Sequence, residues 1–270
     1  MTNLTEIYAN NNNPNIIGRD REMQMLFLTM MRHEKPNALL TGQAGVGKTA
    51  LVHNLAFLIA NQLAPEPLHG FKVLEINTNK LLSGPGYRGV TEEKFQNLIE
   101  HSLDSGKVIL FMDEFHTVES LGQMSNGQTP GLGNTLKPYL TRPDFRVIGA
   151  TTSNEFSKMT DKALLRRFYQ MNVTEPTDDA VSHIIKVCLK MYGKGLKAKS
   201  DVVETILRLS KTHSGFNPDV AKDITDFVCS YAKMTGNKLI TSTFVEDFYN
   251  KFYKQVSQKD EELPELVMEE

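Results

Sequence analysis

Short apolar runs alternate with longer amphipathic segments over residues 14–175, and the two kinds of segment predict different elements. Each apolar run has the length of a strand and is bounded by polar residues, glycine or proline, as buried strands usually are. Between the runs, apolar residues such as Leu51, Leu55 and Leu58 recur at helical spacing, which predicts helices that cover a sheet. The predicted strands span residues 37–41, 71–76, 108–112, 145–150 and 169–173.

Strands that alternate with helices build a mostly parallel sheet with helices on both faces, so the predicted fold class is α/β with five parallel strands. After Glu175-Pro176 the pattern becomes wholly helical and predicts a small all-helical lid domain at residues 176–257. Residues 1–13 are Asn-rich and predict a flexible arm before the large domain at residues 14–175. Residues 258–270 are acidic and predict a disordered tail.

Composition and charge mainly exclude certain classes of protein. Of 270 residues, 40% are hydrophobic and 23% charged, and a formal net charge of −2 gives no global basic field for nucleic acid or membranes. The longest apolar run, residues 108–112, is too short to span a bilayer, and the polar N-terminus carries no recognisable secretory signal. Cys188 and Cys229 lie far apart without a metal-binding pattern, which predicts buried reduced thiols in a cytoplasmic protein.

The loop after the first predicted strand reads Gly-x-x-x-x-Gly-Lys-Thr, which is typical of a phosphate-binding loop. Its glycines let successive backbone N–H groups converge on phosphate oxygens, and the following helix adds its positive N-terminus. Lys48 would reach the β- and γ-phosphates of a nucleoside triphosphate, and the Thr49 hydroxyl would bind Mg²⁺. A glycine-rich turn that only caps an ordinary helix is the alternative. The predicted nucleotide-binding residues of this segment are Gly42, Gln43, Ala44, Gly45, Val46, Gly47, Lys48, Thr49 and Ala50.

An acidic pair, Asp113-Glu114, follows the fully apolar run at residues 108–112. Carboxylates at the end of a buried strand are costly unless they face a polar site, so this position favours a function. Asp113 would hold Mg²⁺ through its water shell, and Glu114 would orient and activate the water that attacks the γ-phosphate. The alternative is an acidic cap at the start of the next helix.

Further motifs follow one another along the chain: Ile17-Gly18-Arg19-Asp20, Asp113-Glu114-Phe115-His116-Thr117-Val118, Asn134-x-Leu136-Lys137-Pro138, Gly149-Ala150-Thr151-Thr152 and Leu165-Arg166-Arg167-Phe168. Together with the phosphate loop, their order resembles the first ATPase ring of the Clp-type AAA+ protein unfoldases, from about residue 14 to 235. The resemblance implies the AAA+ form of the P-loop fold, Mg²⁺-dependent ATP hydrolysis, and self-assembly into a hexameric or other ring. Because the chain has no counterpart of the family's N-terminal domain, coiled-coil insertion or second ring, a single-ring member is expected.

The resemblance also implies roles for individual residues. Ile17 and Gly18 would contact adenine, and Thr152 would be a polar sensor beside the γ-phosphate. Arg166 and Arg167 would act as arginine fingers in a neighbouring subunit's site, where a guanidinium stabilises charge on the transferred phosphoryl group. Taken alone, paired arginines before an aromatic residue are more typical of a solvated basic surface.

Gly86-Tyr87-Arg88-Gly89 resembles the family's pore loop, in which an aromatic side chain grips an unfolded polypeptide. Such a grip tolerates many sequences because it uses apolar area and ring faces. Tyr87 and Arg88 are therefore predicted to bind a protein client. A tyrosine that anchors a glycine-rich loop on its own domain is the alternative.

Two functions are compatible with these motifs. The first is a ring-forming ATPase motor that remodels or unfolds protein substrates. The second is an ATP-switched loader or scaffold that assembles on DNA or on a partner complex. For DNA, the chain offers only a modest basic patch, which is also typical of a solvated helix and loop; it comprises Lys186, Lys190, Lys194, Lys197 and Lys199.

Overall fold

The computed structural model describes residues 1–10, 14, 16–77, 88–104, 106–120 and 132–253, with the backbone alone at residues 88–92 and 120. The chain divides into two compact units. The first comprises residues 1–43 and 47–174, and the second comprises residues 44–46 and 175–270. The second unit thus begins its main segment at Glu175, where the sequence pattern turns helical.

The strands of the first unit are β1 Thr2–Asn3, β2 Ala38–Gly42, β3 Lys72–Ile76, β4 Val108–Met112, β5 Phe145–Thr152 and β6 Tyr169–Asn172. In the described residues they form one sheet in the spatial order β1-β3-β4-β5-β2-β6. All neighbours pair in parallel except β1, which runs antiparallel to β3. The predicted α/β class and its five parallel strands are confirmed, but the sheet has a sixth strand, β1, that the prediction lacked. Strand β4 is buried at every position, as a continuous apolar run at the centre of a covered sheet requires.

The helices described in this unit are α1 Leu4–Tyr8, α2 Asp20–Met30, α3 Lys48–Ala60, α4 Arg88–Asp104, α5 His116–Ser120, α6 Leu132–Leu136, α7 Ser153–Lys158 and α8 Lys162–Leu165, with 3₁₀ turns at Glu66–Leu68 and Tyr139–Thr141. Helix α3 buries Leu51, Val52 and Leu55 completely. Its apolar residues cover most of its circumference, so α3 is an interior helix rather than a surface one. The phosphate loop that precedes it is therefore attached to a fixed element.

The prediction of a flexible N-terminal arm is wrong for residues 2–8. Strand β1 pairs with β3, and the Leu4 side chain of α1 is only 1% exposed. The Tyr8 hydroxyl lies 2.8 Å from Nδ1 of His53, and the Asn61 amide donates to the Tyr8 carbonyl at 2.9 Å. One buried leucine and these polar contacts outweigh the Asn-rich composition. The segment also covers the backbone groups of β3, which would otherwise be an open sheet edge. Residues 11–13 lie outside the described residues.

The second unit contains the helices α9 Asp178–Tyr192, α10 Val202–Ser210, α11 Asp219–Met234 and α12 Ser242–Phe248, followed by a π-helical turn at Tyr249–Tyr253. Its core joins apolar residues from all four helices, among them Ile185, Ile206, Ile224 and Val245. Cys188 and Cys229 are free and buried, as predicted. Burial raises the pKa of the Cys229 thiol to about 11, so the thiol stays protonated and inert at neutral pH.

The prediction that this unit is wholly helical is wrong in one respect. Two short strands, β7 Lys197–Ala198 and β8 Leu239–Ile240, pair in parallel. Ile240 is 1% exposed and joins the core of the unit, which fixes the pairing. A strand of two residues cannot display an alternating pattern, so neither strand could be recognised from the sequence. Residues 254–270, including the predicted acidic tail at 258–270, lie outside the described residues.

Gly149 of β5 is expected to be intolerant of a side chain. A Cβ atom there would lie 2.7 Å from Cγ of Phe115 and 2.9 Å from Cδ1 of Leu39. Both neighbours are buried, so Gly149→Ala should lower the free energy of unfolding by about 1–3 kcal/mol, as overpacked cores do. Gly133→Ala is the control because the nearest atom to its Cβ would be Cδ2 of Leu164, at 3.2 Å, and the next atoms lie at 3.8 Å or more. Urea unfolding of both variants checks this; equal stability of the two would contradict it.

Candidate nucleotide site

The phosphate loop joins β2 to α3 through a backbone that requires glycine. Gly42, Gly45 and Gly47 have φ angles of 156°, 80° and 99°, and residues with a Cβ rarely adopt such values. Gly47 is the N-cap of α3 and makes no side-chain cap, so the first N–H groups of the helix have no such partner. The loop and the helix N-terminus therefore form a backbone cradle suited to phosphate oxygens.

Lys48 begins α3, and its side chain is drawn into this loop. Its Nζ atom donates to the carbonyl oxygens of Gly42 at 2.9 Å and Gln43 at 2.8 Å. The residue is 9% exposed. Burial lowers the pKa of the Lys48 amine, while the carboxylates of Asp113 and Glu114 raise it in part. The ammonium group thus bonds the loop carbonyls and interacts electrostatically with two carboxylates, and from this position it can neutralise a bound polyphosphate.

Thr49 and Asp113 come together across the sheet, although 64 residues separate them in sequence. The Thr49 hydroxyl donates to Oδ2 of Asp113 at 2.7 Å, and Oδ1 of Asp113 accepts from the Glu114 backbone N–H at 2.9 Å. In the described part of the chain, no group of three or more His, Cys, Asp or Glu side chains could hold a metal by itself. A hydroxyl and one carboxylate fit Mg²⁺, which keeps waters and shares phosphate oxygens with the nucleotide.

Glu114 follows β4 with a left-handed backbone, at φ 51°. A non-glycine residue in this region is uncommon and is often part of a functional site. Its neighbour Phe115 fixes the turn because its N–H donates to the Ala150 carbonyl at 2.8 Å and its ring contacts Phe168 edge to face. The side chain of Glu114 is 54% exposed, so the backbone is held while the carboxylate faces solvent.

Thr152 ends β5 next to the phosphate loop. The β2–β5 register pairs Thr152 with Gly42, the residue at which the loop begins. Its hydroxyl accepts from the Glu155 backbone N–H at 3.2 Å and so caps α7. The preceding Thr151 is buried, and its hydroxyl lies 3.0 Å from Nδ1 of His116. Sequence reasoning assigned Thr152 a role but none to Thr151 or His116.

Arg166 and Arg167 follow α8 and differ in their environments. Arg166 is exposed to solvent. Arg167 is half-buried, and its Nη1 atom donates to the Ala163 carbonyl at 2.7 Å. Its Nε atom is buried and has no hydrogen-bond partner among the described residues. Of these two arginines, only Arg167 donates a hydrogen bond from its guanidinium to another described residue of the chain. The guanidinium of Arg166 has no such bond among the described residues.

The remaining predicted residues are located as follows. Gly18 has a φ of 68° and lies, with the half-buried Ile17, directly before α2. Ala50 is half-buried in the first turn of α3. Tyr87 lies outside the described residues, and Arg88 is described only as the first backbone position of α4. Neither pore-loop residue is therefore tested by the structure.

The fold and this site define a P-loop nucleotide-binding protein. Residues 38–175 match the family described as "ATPase family associated with various cellular activities (AAA)". The chain belongs to this family, and within it to the Clp-type AAA+ ATPases, whose class of activity is ATP hydrolysis.

Relatives and solved structures agree with this assignment. The chain is 36% identical over 239 residues to "Chaperone protein ClpB" of Aquifex aeolicus, covering 86% of this chain and 24% of the relative. It is 35% identical over 253 residues to "ATP-dependent Clp protease ATP-binding subunit ClpE" of Streptococcus pneumoniae, covering 90% and 34%. The S. cerevisiae Hsp104:casein complex matches with a TM-score of 0.77 and 28% identity, covering 89% of this chain and 42% of that one. The chain thus spans about a quarter to a third of these curated relatives.

The sequence predicts no segment long enough to span a bilayer. Within the described ranges, no helix is long and apolar enough to cross a membrane.

Proposed function

We propose that this chain hydrolyses ATP as a subunit of a cytoplasmic ring-forming motor that remodels protein substrates. The observation that supports hydrolysis most strongly is the arrangement of Lys48, Thr49, Asp113 and Glu114. The hydroxyl of Thr49 and the carboxylate of Asp113 are 2.7 Å apart, and Glu114 follows immediately. This arrangement supports a site in which Lys48 would bind phosphate, Thr49 and Asp113 would provide oxygen atoms for Mg²⁺, and Glu114 would activate the attacking water.

In the proposed reaction, the loop N–H groups and Lys48 bind the β- and γ-phosphates of ATP. Thr49 and Asp113 would supply the protein oxygens that hold Mg²⁺. When bound, Mg²⁺ would neutralise charge on the phosphates and favour departure of ADP. Ile17 and Gly18 lie on the segment before α2, where they would contact the adenine ring.

Glu114 accepts a proton from the water that attacks the γ-phosphorus, and Thr152 orients the same water or the γ-phosphate from the end of β5. A carboxylate that is exposed on its free side can receive this water without displacing a protein partner. General-base catalysis of this kind typically contributes about 10²–10⁴ in rate. Arg166 and Arg167 would complete the site of an adjacent subunit.

The substrate part of the proposal rests on the relatives. One relative is a Clp chaperone protein, another is an ATP-binding subunit of an ATP-dependent Clp protease, and the matched Hsp104 structure contains casein. Tyr87 and Arg88 would contact the threaded polypeptide in this chain. A DNA loader is less well supported because the formal net charge is −2 and the basic patch is modest.

Protein-stimulated turnover tests the substrate class. We expect unfolded casein to raise the steady-state ATPase rate several-fold and duplex or single-stranded DNA to leave it unchanged. Tyr87→Ala should reduce the ratio of stimulated to unstimulated rate to near one, because the apolar ring supplies the grip. Tyr87→Phe is the control, since it keeps the ring and removes only the hydroxyl. Stimulation by DNA alone would favour the loader, and a Tyr87→Ala variant with normal casein stimulation would contradict threading.

A further inference from the structure

His116 lies between the end of β5 and the carboxylate of Glu114. Its Nδ1 atom is 3.0 Å from the Thr151 hydroxyl oxygen and 3.5 Å from Oε2 of Glu114. The imidazole is 24% exposed, whereas the Glu114 side chain is 54% exposed. The same ring nitrogen therefore faces both a buried hydroxyl and the carboxylate that is proposed to activate water.

Thr151 gives the imidazole a fixed anchor. It is 1% exposed on β5, a strand paired with both β2 and β4. Successive side chains of a strand point to opposite faces. Thr151 and Thr152 are adjacent in sequence but therefore contact different groups. Thr152 caps α7, while Thr151 contacts His116. A shift at the end of β5 would consequently reach both side chains.

Glu114 needs such a partner. An exposed glutamate samples several rotamers, and restricting them costs conformational entropy. Its backbone is fixed at φ 51°, but the described contacts of its carboxylate are with His116 and, electrostatically, Lys48. A general base must point at its water within hydrogen-bond reach, and a displacement of about 1 Å can cost a hundredfold in rate.

Glu155 is a further charged group that interacts electrostatically with His116. The pKa of Glu155 lies below its ordinary value, chiefly because of the hydrogen bond from Lys158 and in smaller part because of His116. Lys158 therefore engages Glu155 at 2.8 Å. Nδ1 of His116 itself contacts Thr151 and Glu114.

We propose that His116 is a positioning residue for ATP hydrolysis: with its proton on Nδ1, the N–H is shared between the Thr151 hydroxyl oxygen and the Glu114 carboxylate, and it holds that carboxylate in the orientation that receives the attacking water. This inference rests on the proposed function of Glu114. It links the sensor end of β5 to the water-activating carboxylate through two side chains. His116 does not itself touch the nucleotide or exchange a proton with the water.

Side-chain replacements in the full chain test the role of Nδ1. His116→Ala is expected to lower kcat about tenfold while KM for ATP and the affinity for a fluorescent ATP analogue change less than twofold. His116→Asn should restore most of kcat, because an asparagine amide lies as far from the backbone as Nδ1 does. His116→Gln places its amide one bond further and should resemble His116→Ala. If His116 had only a structural role, the kcat values of the His116→Asn and His116→Gln variants would not differ in this way.

Thr151 supplies the matched test. Thr151→Val keeps the shape and removes the hydroxyl, so it should lower kcat to a similar extent, whereas Thr151→Ser should not. The double variant His116→Ala/Thr151→Val should be no slower than either single variant, since both interrupt one contact chain. Melting temperatures monitor folding in each case.

The outcomes separate this inference from the proposed function. If Glu114→Gln abolishes hydrolysis but His116→Ala retains more than half of kcat, or His116→Asn is as slow as His116→Ala, the positioning role is wrong. Additive losses in the double variant would also overturn it. If Glu114→Gln itself retains activity, the proposed hydrolytic role of Glu114 fails first.

Discussion

Glu114→Gln is expected to lower ATP turnover by about a hundredfold or more while ATP binding is retained. Glutamine has nearly the same shape but cannot accept the proton of the attacking water. The side chain is 54% exposed and its described partner, His116, is itself partly exposed, so the variant should fold normally. Single-turnover hydrolysis of radiolabelled ATP, together with the affinity for a fluorescent ATP analogue, measures the two effects separately.

Lys48→Ala is the contrasting variant for the same site. Here turnover should fall because binding falls: Lys48 supplies the cation within the phosphate loop rather than the base. Its Nζ also donates to Gly42 and Gln43, so its melting temperature must be compared with that of the parent chain. If Glu114→Gln loses affinity as Lys48→Ala does, Glu114 acts in binding and the assignment of a base is wrong. Normal turnover in both variants would contradict the whole site.

The strands and the phosphate loop could be predicted because their determinants are local. The run at β4 is apolar at every position, and Gly42, Gly45 and Gly47 mark positions where only glycine readily takes the observed φ. A strand, loop and helix of this kind need no knowledge of distant residues. The same reasoning located the acidic pair, because charged residues directly after a buried strand stand out in the sequence.

Features that depend on distant partners could not be predicted in the same way. Leu4 becomes a core residue only because β1 pairs with β3, and two-residue strands such as β7 carry no period of their own. The contact between Thr151 and His116 joins residues 35 apart in sequence. The alternation of side chains along β5 would have indicated that Thr151 and Thr152 face opposite ways. It would not have indicated which side chain Thr151 meets.

Simultaneous replacement of Arg166 and Arg167 by alanine is expected to lower turnover on the order of a thousandfold, as loss of an arginine finger does. Arg166 is exposed, so its guanidinium can reach a neighbouring subunit. Arg167 is half-buried and bonded to the Ala163 carbonyl, so Arg167→Ala alone can also lower stability. The melting temperature and ATP affinity of the double variant must therefore match those of the parent before its rate is interpreted.

Mixing two inactive variants distinguishes a shared site from one built by a single chain. An Arg166→Ala/Arg167→Ala subunit keeps its own Glu114, while a Glu114→Gln subunit keeps its arginines. If the arginines act between subunits, a mixed ring contains some interfaces with an intact glutamate on one side and intact arginines on the other. The mixture should then hydrolyse ATP faster than either variant alone. The ATPase rate should be highest when the two variants are mixed in nearly equal amounts. A mixture that stays as inactive as its components, although size measurements show that mixed rings form, would mean that the arginines serve their own chain.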